Sequence, residues 1–121
     1  MLLGFGVNDS AANITVTDFQ ANIQQIISQV RTFSANPDLN VLMYSPMLPN
    51  QQAVSCPVGT LLAYEKAMKH LAEKDEKIGL VPLTSIFQEV AKSKSSEDYL
   101  NTNLNHGNDF TARIYLAGIL S

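Results

Sequence analysis

Apolar and polar positions along this chain alternate between short unbroken apolar runs and longer stretches with helical spacing. Met1-Leu2-Leu3-Gly4-Phe5 is an apolar run that breaks at Gly6-Val7-Asn8-Asp9, the pattern of a strand entering a loop over 6–13. Thr17-Asp18-Phe19-Gln20 fits a capping box, and Phe19, Ile23, Ile26, Ile27 and Val30 then recur at helical spacing. That helix is expected to stop near Phe33, where Ser34-Ala35-Asn36-Pro37 supplies breakers. Val41-Leu42-Met43-Tyr44 is a run of strand length ended by Ser45-Pro46, and its unbroken apolar character suits a strand covered on both faces.

The stretch from Met47 to Gly59, with Asn50, Gln51 and Gln52 between Pro49 and Pro57, reads as a loop too long for a plain connection. Thr60 is the expected cap of a second helix, with Leu61, Tyr64, Met68 and Leu71 on one face and a Glu65–Lys69 i,i+4 pair on another. Ile78-Gly79-Leu80-Val81 is the third strand, and Ser85 and Gln88 frame a short helix carrying Ile86, Phe87 and Val90. The segment 93–107 reads as polar and irregular. Asn108 or Asp109 caps a last helix that is apolar nearly all round, through Phe110, Ile114, Tyr115, Leu116, Ile119 and Leu120, and so is expected to be largely buried. Strand, helix, strand, helix, strand, helix, helix predicts an α/β sandwich with a parallel sheet.

Composition narrows the functional classes. At 121 residues the chain makes a single domain, and 45% apolar with 16% charged residues is a globular rather than a disordered balance. A net charge of −3 with scattered basic residues leaves no cationic footprint for nucleic acid. No apolar run approaches the ~20 residues that span a bilayer. No basic n-region opens the chain, so no signal peptide is visible. Cys56 is the sole cysteine, which excludes an intrachain disulfide and, without a His or Cys beside it, reads as a buried thiol. His70 lies among Lys66, Lys69 and Lys74 and reads as solvated. With so few soft ligands no metal site or cofactor is expected.

In open parallel sheets the binding crevice lies beyond the carboxyl ends of the strands, where the loops over 6–13 and 45–59 and the segment ending at His106 converge. Gly6-Val7-Asn8-Asp9, the strand ending Ser45-Pro46-Met47-Leu48-Pro49-Asn50, and His106-Gly107-Asn108-Asp109-Phe110 resemble, in order and spacing, the later part of an SGNH (GDSL-type) esterase. The resemblance covers nearly the whole chain. It implies a three-layer α/β/α sandwich of flavodoxin-like topology, with Asn8 as an oxyanion donor, His106 as the general base and Asp9 as the residue bracing the loop. It also implies an acyl ester, such as an acetylated carbohydrate, as substrate. The chemistry suits the residue types. A preorganised amide donor at a developing oxyanion contributes about 10²–10³ in rate. A neutral imidazole is the natural base for an alcohol nucleophile near pH 7.

Two departures from the family's pattern stand out. Its triad acid lies three residues before the histidine, and here that position is Asn103. An amide can orient the imidazole but cannot stabilise an imidazolium by charge, a change that lowers turnover roughly 10⁴-fold in a Ser-His-Asp enzyme. Asp98, in the preceding segment, is the alternative acid. The family also begins with a strand leading to a Gly-Asp-Ser nucleophile turn, and none precedes Met1. Ser10 echoes such a turn only superficially and reads as a turn residue. Residues 1–121 are therefore expected to be a single, N-terminally truncated SGNH-like domain, beginning within the third strand and inactive in isolation. Removal of the neighbouring strand would bare the first strand and the helix faces beside it, so a homo-oligomer joined there is expected. The competing reading is a non-catalytic module on the same scaffold, binding glycans through the polar 47–59 loop or serving assembly. A flavodoxin-like nucleotide binder is disfavoured by the lack of a Gly-rich phosphate loop.

Overall fold

The computed structural model describes residues 1–102 and 104–121. The apolar runs become three strands, β1 (Leu2–Gly4), β2 (Val41–Tyr44) and β3 (Ile78–Val81). They form a parallel sheet in the order β1-β2-β3, with Leu3 opposite Met43 and Tyr44 opposite Val81. A parallel pair needs a crossover, and here helices supply both. α1 (Val7–Ala11) and α2 (Val16–Phe33) connect β1 to β2, and α3 (Val58–Lys74) connects β2 to β3. Then follow α4 (Leu83–Val90), α5 (Ser96–Tyr99) and α6 (Asp109–Leu120). The chain is thus a mixed α/β protein with a three-stranded parallel sheet.

Strand periodicity divides the core between the two sheet faces. Leu3, Val41 and Met43 join Phe19, Ile23 and Ile27 of α2 and Tyr64, Met68 and Leu71 of α3 in one cluster. At its centre the Phe19 and Tyr64 rings stack with centroids 4.0 Å apart, and the Tyr64 hydroxyl donates to the Ile14 carbonyl at 2.5 Å. Leu42, Tyr44 and Val81 join the second cluster with Leu83 and Phe87 of α4 and Ile114 and Tyr115 of α6.

Several helix starts differ from the sequence expectation. Thr15, not Thr17, caps α2. Its extended backbone lets the hydroxyl accept from the Asp18 amide at 3.1 Å, while the Phe19 amide already bonds the Thr15 carbonyl at 2.8 Å. Thr17 therefore lies inside the first turn. Ile14 and Phe19, at the two staple positions, enter the same cluster and fix the entry angle. Pro57, not Thr60, precedes α3, because its preset φ of −56° starts the helix three residues earlier. α4 begins at Leu83, ahead of Ser85. Asn108 is the cap of α6, accepting from the amides of Phe110 and Thr111. Within the supposedly irregular 93–107 segment, Ser95 and Asp98 close a capping box on α5.

The expectation of a buried last helix is overturned. Only Thr111 of α6 is buried, while Leu116 and Leu120 are 56% and 76% exposed. A helix apolar on every side needs neighbours on every side, and α6 meets the sheet only along the face that carries Ile114, Tyr115 and Gly118. At the opposite edge of the sheet Leu2 and Phe5 are also exposed.

Two consequences are measurable. Gly4 lies across from Tyr44, and a Cβ there would run into the Tyr44 ring, which instead lies over the bare glycine. Gly4→Ala is expected to lower the urea-unfolding free energy by about 1–3 kcal/mol through overpacking, and adding Tyr44→Ala should relieve part of that loss. Arg31 donates to Asp75 at 2.6 Å, and this bond, helped by the Lys77 amide, holds the Asp75 carboxyl below its ordinary 3.8. A depressed carboxyl favours the folded state above 3.8 and loses that contribution as pH falls through the lower folded value. Asp75→Asn should therefore lower the urea midpoint at neutral pH, with the difference from the parent shrinking in acid.

Candidate functional site

Beyond the carboxyl ends of β1 and β2 lies a cleft of about 380 Å³. Its walls come from four separate parts of the chain: Gly4 to Asp9, Tyr44 with Pro46, Asn105 with His106, and Tyr115 of α6. The predicted Asn8, Asp9 and His106 therefore lie on one cleft, although they come from opposite ends of the sequence.

Asn8 is placed by α1, where the sequence suggested a loop. The chain leaves β1 through Gly6 at φ +131°, a conformation that side chains rarely adopt. The Gly6 carbonyl then accepts from the Ser10 amide at 2.9 Å, closing the first helical turn around Asn8. Beneath it the Cys56 thiol donates to the Val7 carbonyl at 3.2 Å. Burial pushes the Cys56 thiol up, against smaller opposing effects of the Ser10 hydroxyl and Ala11 backbone, so this buried sulfur is held as a thiol. The Asp9 carbonyl accepts from the Ile14 amide at 2.9 Å.

His106 sits in an exposed loop whose ends are tied down. Its carbonyl accepts from the Asn101 amide at 2.8 Å, and Leu100 and Gly107 form an antiparallel bridge. The Asn108 carboxamide donates to the Asp98 carbonyl at 2.9 Å, and the Thr111 hydroxyl donates to the Tyr99 carbonyl at 2.5 Å. The Asn50 amide bonds the Leu104 carbonyl at 2.7 Å, joining the histidine loop to the segment after β2.

The remaining candidates lie elsewhere. Ser10, read from sequence as a turn residue, lies instead inside α1; it is 2% exposed and does not line the cleft. The Asp98 carboxylate accepts from the Ser95 amide at 2.8 Å, so it serves the α5 cap. Asn103 lies outside the described residues. His70 is exposed on α3. In the 47–59 loop, Gln51 donates to the Pro49 carbonyl and the Gln52 amide donates to the Asn50 side chain, so part of its polarity holds the loop itself. Among the described residues no three His, Cys, Asp or Glu side chains gather as for a metal ion. No helix there is long and apolar enough to cross a membrane.

Two cleft residues escaped the sequence reading. Tyr44 and Tyr115 meet edge to face with centroids 5.4 Å apart and form the aromatic wall. Burial, against a smaller opposing hydrogen bond to the Met47 backbone, raises the Tyr115 hydroxyl above its ordinary 10.0, so it is a neutral group at physiological pH. The position of Tyr44 at the carboxyl end of a strand was an available signal. Tyr115 carried none, because it lay in a helix whose faces sequence could not tell apart.

Asn8, His106, Tyr44 and Tyr115 thus line one cleft. No protein-family model, curated protein or solved structure matches the chain.

Gly6 is the hinge of this geometry. A Cβ there would lie 3.1 Å from Pro46 Cγ in addition to being strained at positive φ. Gly6→Ala is expected to lower unfolding free energy by about 1–3 kcal/mol, measured by urea denaturation.

Proposed function

We propose that this chain is the C-terminal portion of an SGNH-type ester hydrolase whose complete form cleaves acyl esters, with acetyl groups on carbohydrate as the favoured class. The observation that carries the reading is the presence of Asn8 and His106 on one cleft at the carboxyl end of a parallel sheet. The strand order β1-β2-β3, with helices packed against both faces, is compatible with the three-layer sandwich of that family.

In the complete protein a serine from the upstream Gly-Asp-Ser segment attacks the ester carbonyl. His106 takes the serine proton, and the Asn8 carboxamide donates to the oxyanion as negative charge develops there. Collapse of the tetrahedral species breaks the ester C–O bond, and His106 returns its proton to the departing alkoxide. Water then attacks the acyl-serine with the same imidazole as base, releasing the acid. The aromatic wall of Tyr44 and Tyr115 lines the apolar side of the acyl pocket.

The test has two parts. The isolated chain is expected to hydrolyse p-nitrophenyl acetate no faster than its His106→Ala variant. A chain extended upstream through an in-frame Gly-Asp-Ser segment is expected to turn over. That activity should fall about 10²–10³-fold in Asn8→Ala and to near background in His106→Ala. Turnover by the extended chain that both substitutions leave unchanged would refute the hydrolase reading.

A further inference from the structure

The sequence paired Glu65 with Lys69 on a second face of the helix, yet Glu65 is 7% exposed and Lys69 instead lies 4.0 Å from Glu73. The Glu65 carboxyl group faces the end of β2. Its Oε2 accepts from the Ser45 hydroxyl at 2.5 Å and from the Ser85 amide at 3.2 Å, and its Oε1 accepts from the Ser85 hydroxyl. The Ser45 oxygen in turn accepts from the Thr84 amide at 3.0 Å, and the Thr84 hydroxyl donates to the Pro46 carbonyl at 2.6 Å. Ser45 and Thr84 are both fully buried.

Pro46 is therefore held through the Ser45 side chain before it and through its own carbonyl, and it lines the same cleft as Gly6, its ring carbon Cγ lying 3.1 Å from where a Cβ on Gly6 would stand. Gly6 sets the start of α1, and α1 sets Asn8. We propose that Glu65 is a positioning residue for the candidate site: through Ser45 and Thr84 it fixes Pro46, and through the Pro46 ring, which leaves beside Gly6 no room for a side chain, it fixes the carboxamide of Asn8. The functional meaning rests on Asn8 being the oxyanion donor. The geometric claim is read without turnover, so its failure is distinguishable from failure of the hydrolase assay.

The measurement is ¹H–¹⁵N NMR of the chain, following the backbone amides of Gly6, Val7 and Asn8 and the Asn8 side-chain NH₂ pair. Glu65→Gln preserves shape but replaces one acceptor oxygen with a donor group. Thr84→Val removes only the hydroxyl that holds the Pro46 carbonyl, and it decides the matter if Glu65→Gln does not fold. Glu73→Gln, on the exposed side of the same helix, is the control. Each network variant is expected to shift the Gly6–Asn8 resonances beyond the control. On a Pro46→Ala background, where the ring beside Gly6 is gone, the added effect of either variant at Asn8 should vanish. A purely structural role would perturb Ser45, Thr84 and Ser85 and lower stability while leaving Asn8 unmoved, and that result would overturn the proposal. An effect on Asn8 undiminished in Pro46→Ala would overturn it equally, by excluding the Pro46 route.

Discussion

A carboxyl group shut inside the molecule at the point where β2 ends is the constraint around which the rest is arranged. A buried polar group without partners is strongly unfavourable, so Glu65 demands donors, and they come from residues distant in sequence. Ser45 arrives from the sheet, Ser85 and Thr84 from the first turn of α4, and Glu65 itself from the middle of α3. Satisfying that one group fixes a strand end and two helices relative to one another. Any slip of α4 against α3 would strand buried donors and acceptors together, which makes the arrangement cooperative.

That constraint sits directly behind the cleft. The face of β2 opposite the Phe19–Tyr64 stack carries Tyr44, whose ring lies over Gly4 and meets Tyr115. The helix that brings Tyr115 also begins beside His106, at the Asn108 cap. A single short helix thus supplies the aromatic wall at its middle and anchors the imidazole loop at its start. Asn8 enters from the other edge of the sheet, where Gly6 turns the chain against Pro46. The site is an intersection of independently supported segments rather than one contiguous motif, so its geometry depends on how the layers seat.

Legibility varied with the range of the interactions involved. β2 and β3 were readable to the residue, because an apolar run of strand length flanked by Ser-Pro or a charged turn has few alternatives. The end of α2 at Phe33 was readable for similar local reasons, and the start of α6 was narrowed to Asn108 or Asp109, of which Asn108 is the cap. The cap of α2 was not readable: the pattern pointed to Thr17, although Thr15 also stands three residues before a polar side chain, and Thr15 is the cap. The packing of Ile14 beside Phe19 on the core decided between them. α1 was missed because its five residues carry no helical periodicity, and its form follows from the Gly6 turn against Pro46.

By itself the sequence determined where the three strands and the main helices lie, the parallel α/β character and which side chains carry an amide or an imidazole, since these follow from local periodicity, capping chemistry and side-chain type. Only the tertiary structure decided that Glu65 is buried among hydroxyls, that one face of α6 remains exposed, and that Asn8 and His106 border the same cleft with Tyr44 and Tyr115. The physical reason is one of range. Helical and strand propensities act across a few residues, whereas burial and convergence depend on which surfaces the packed layers cover.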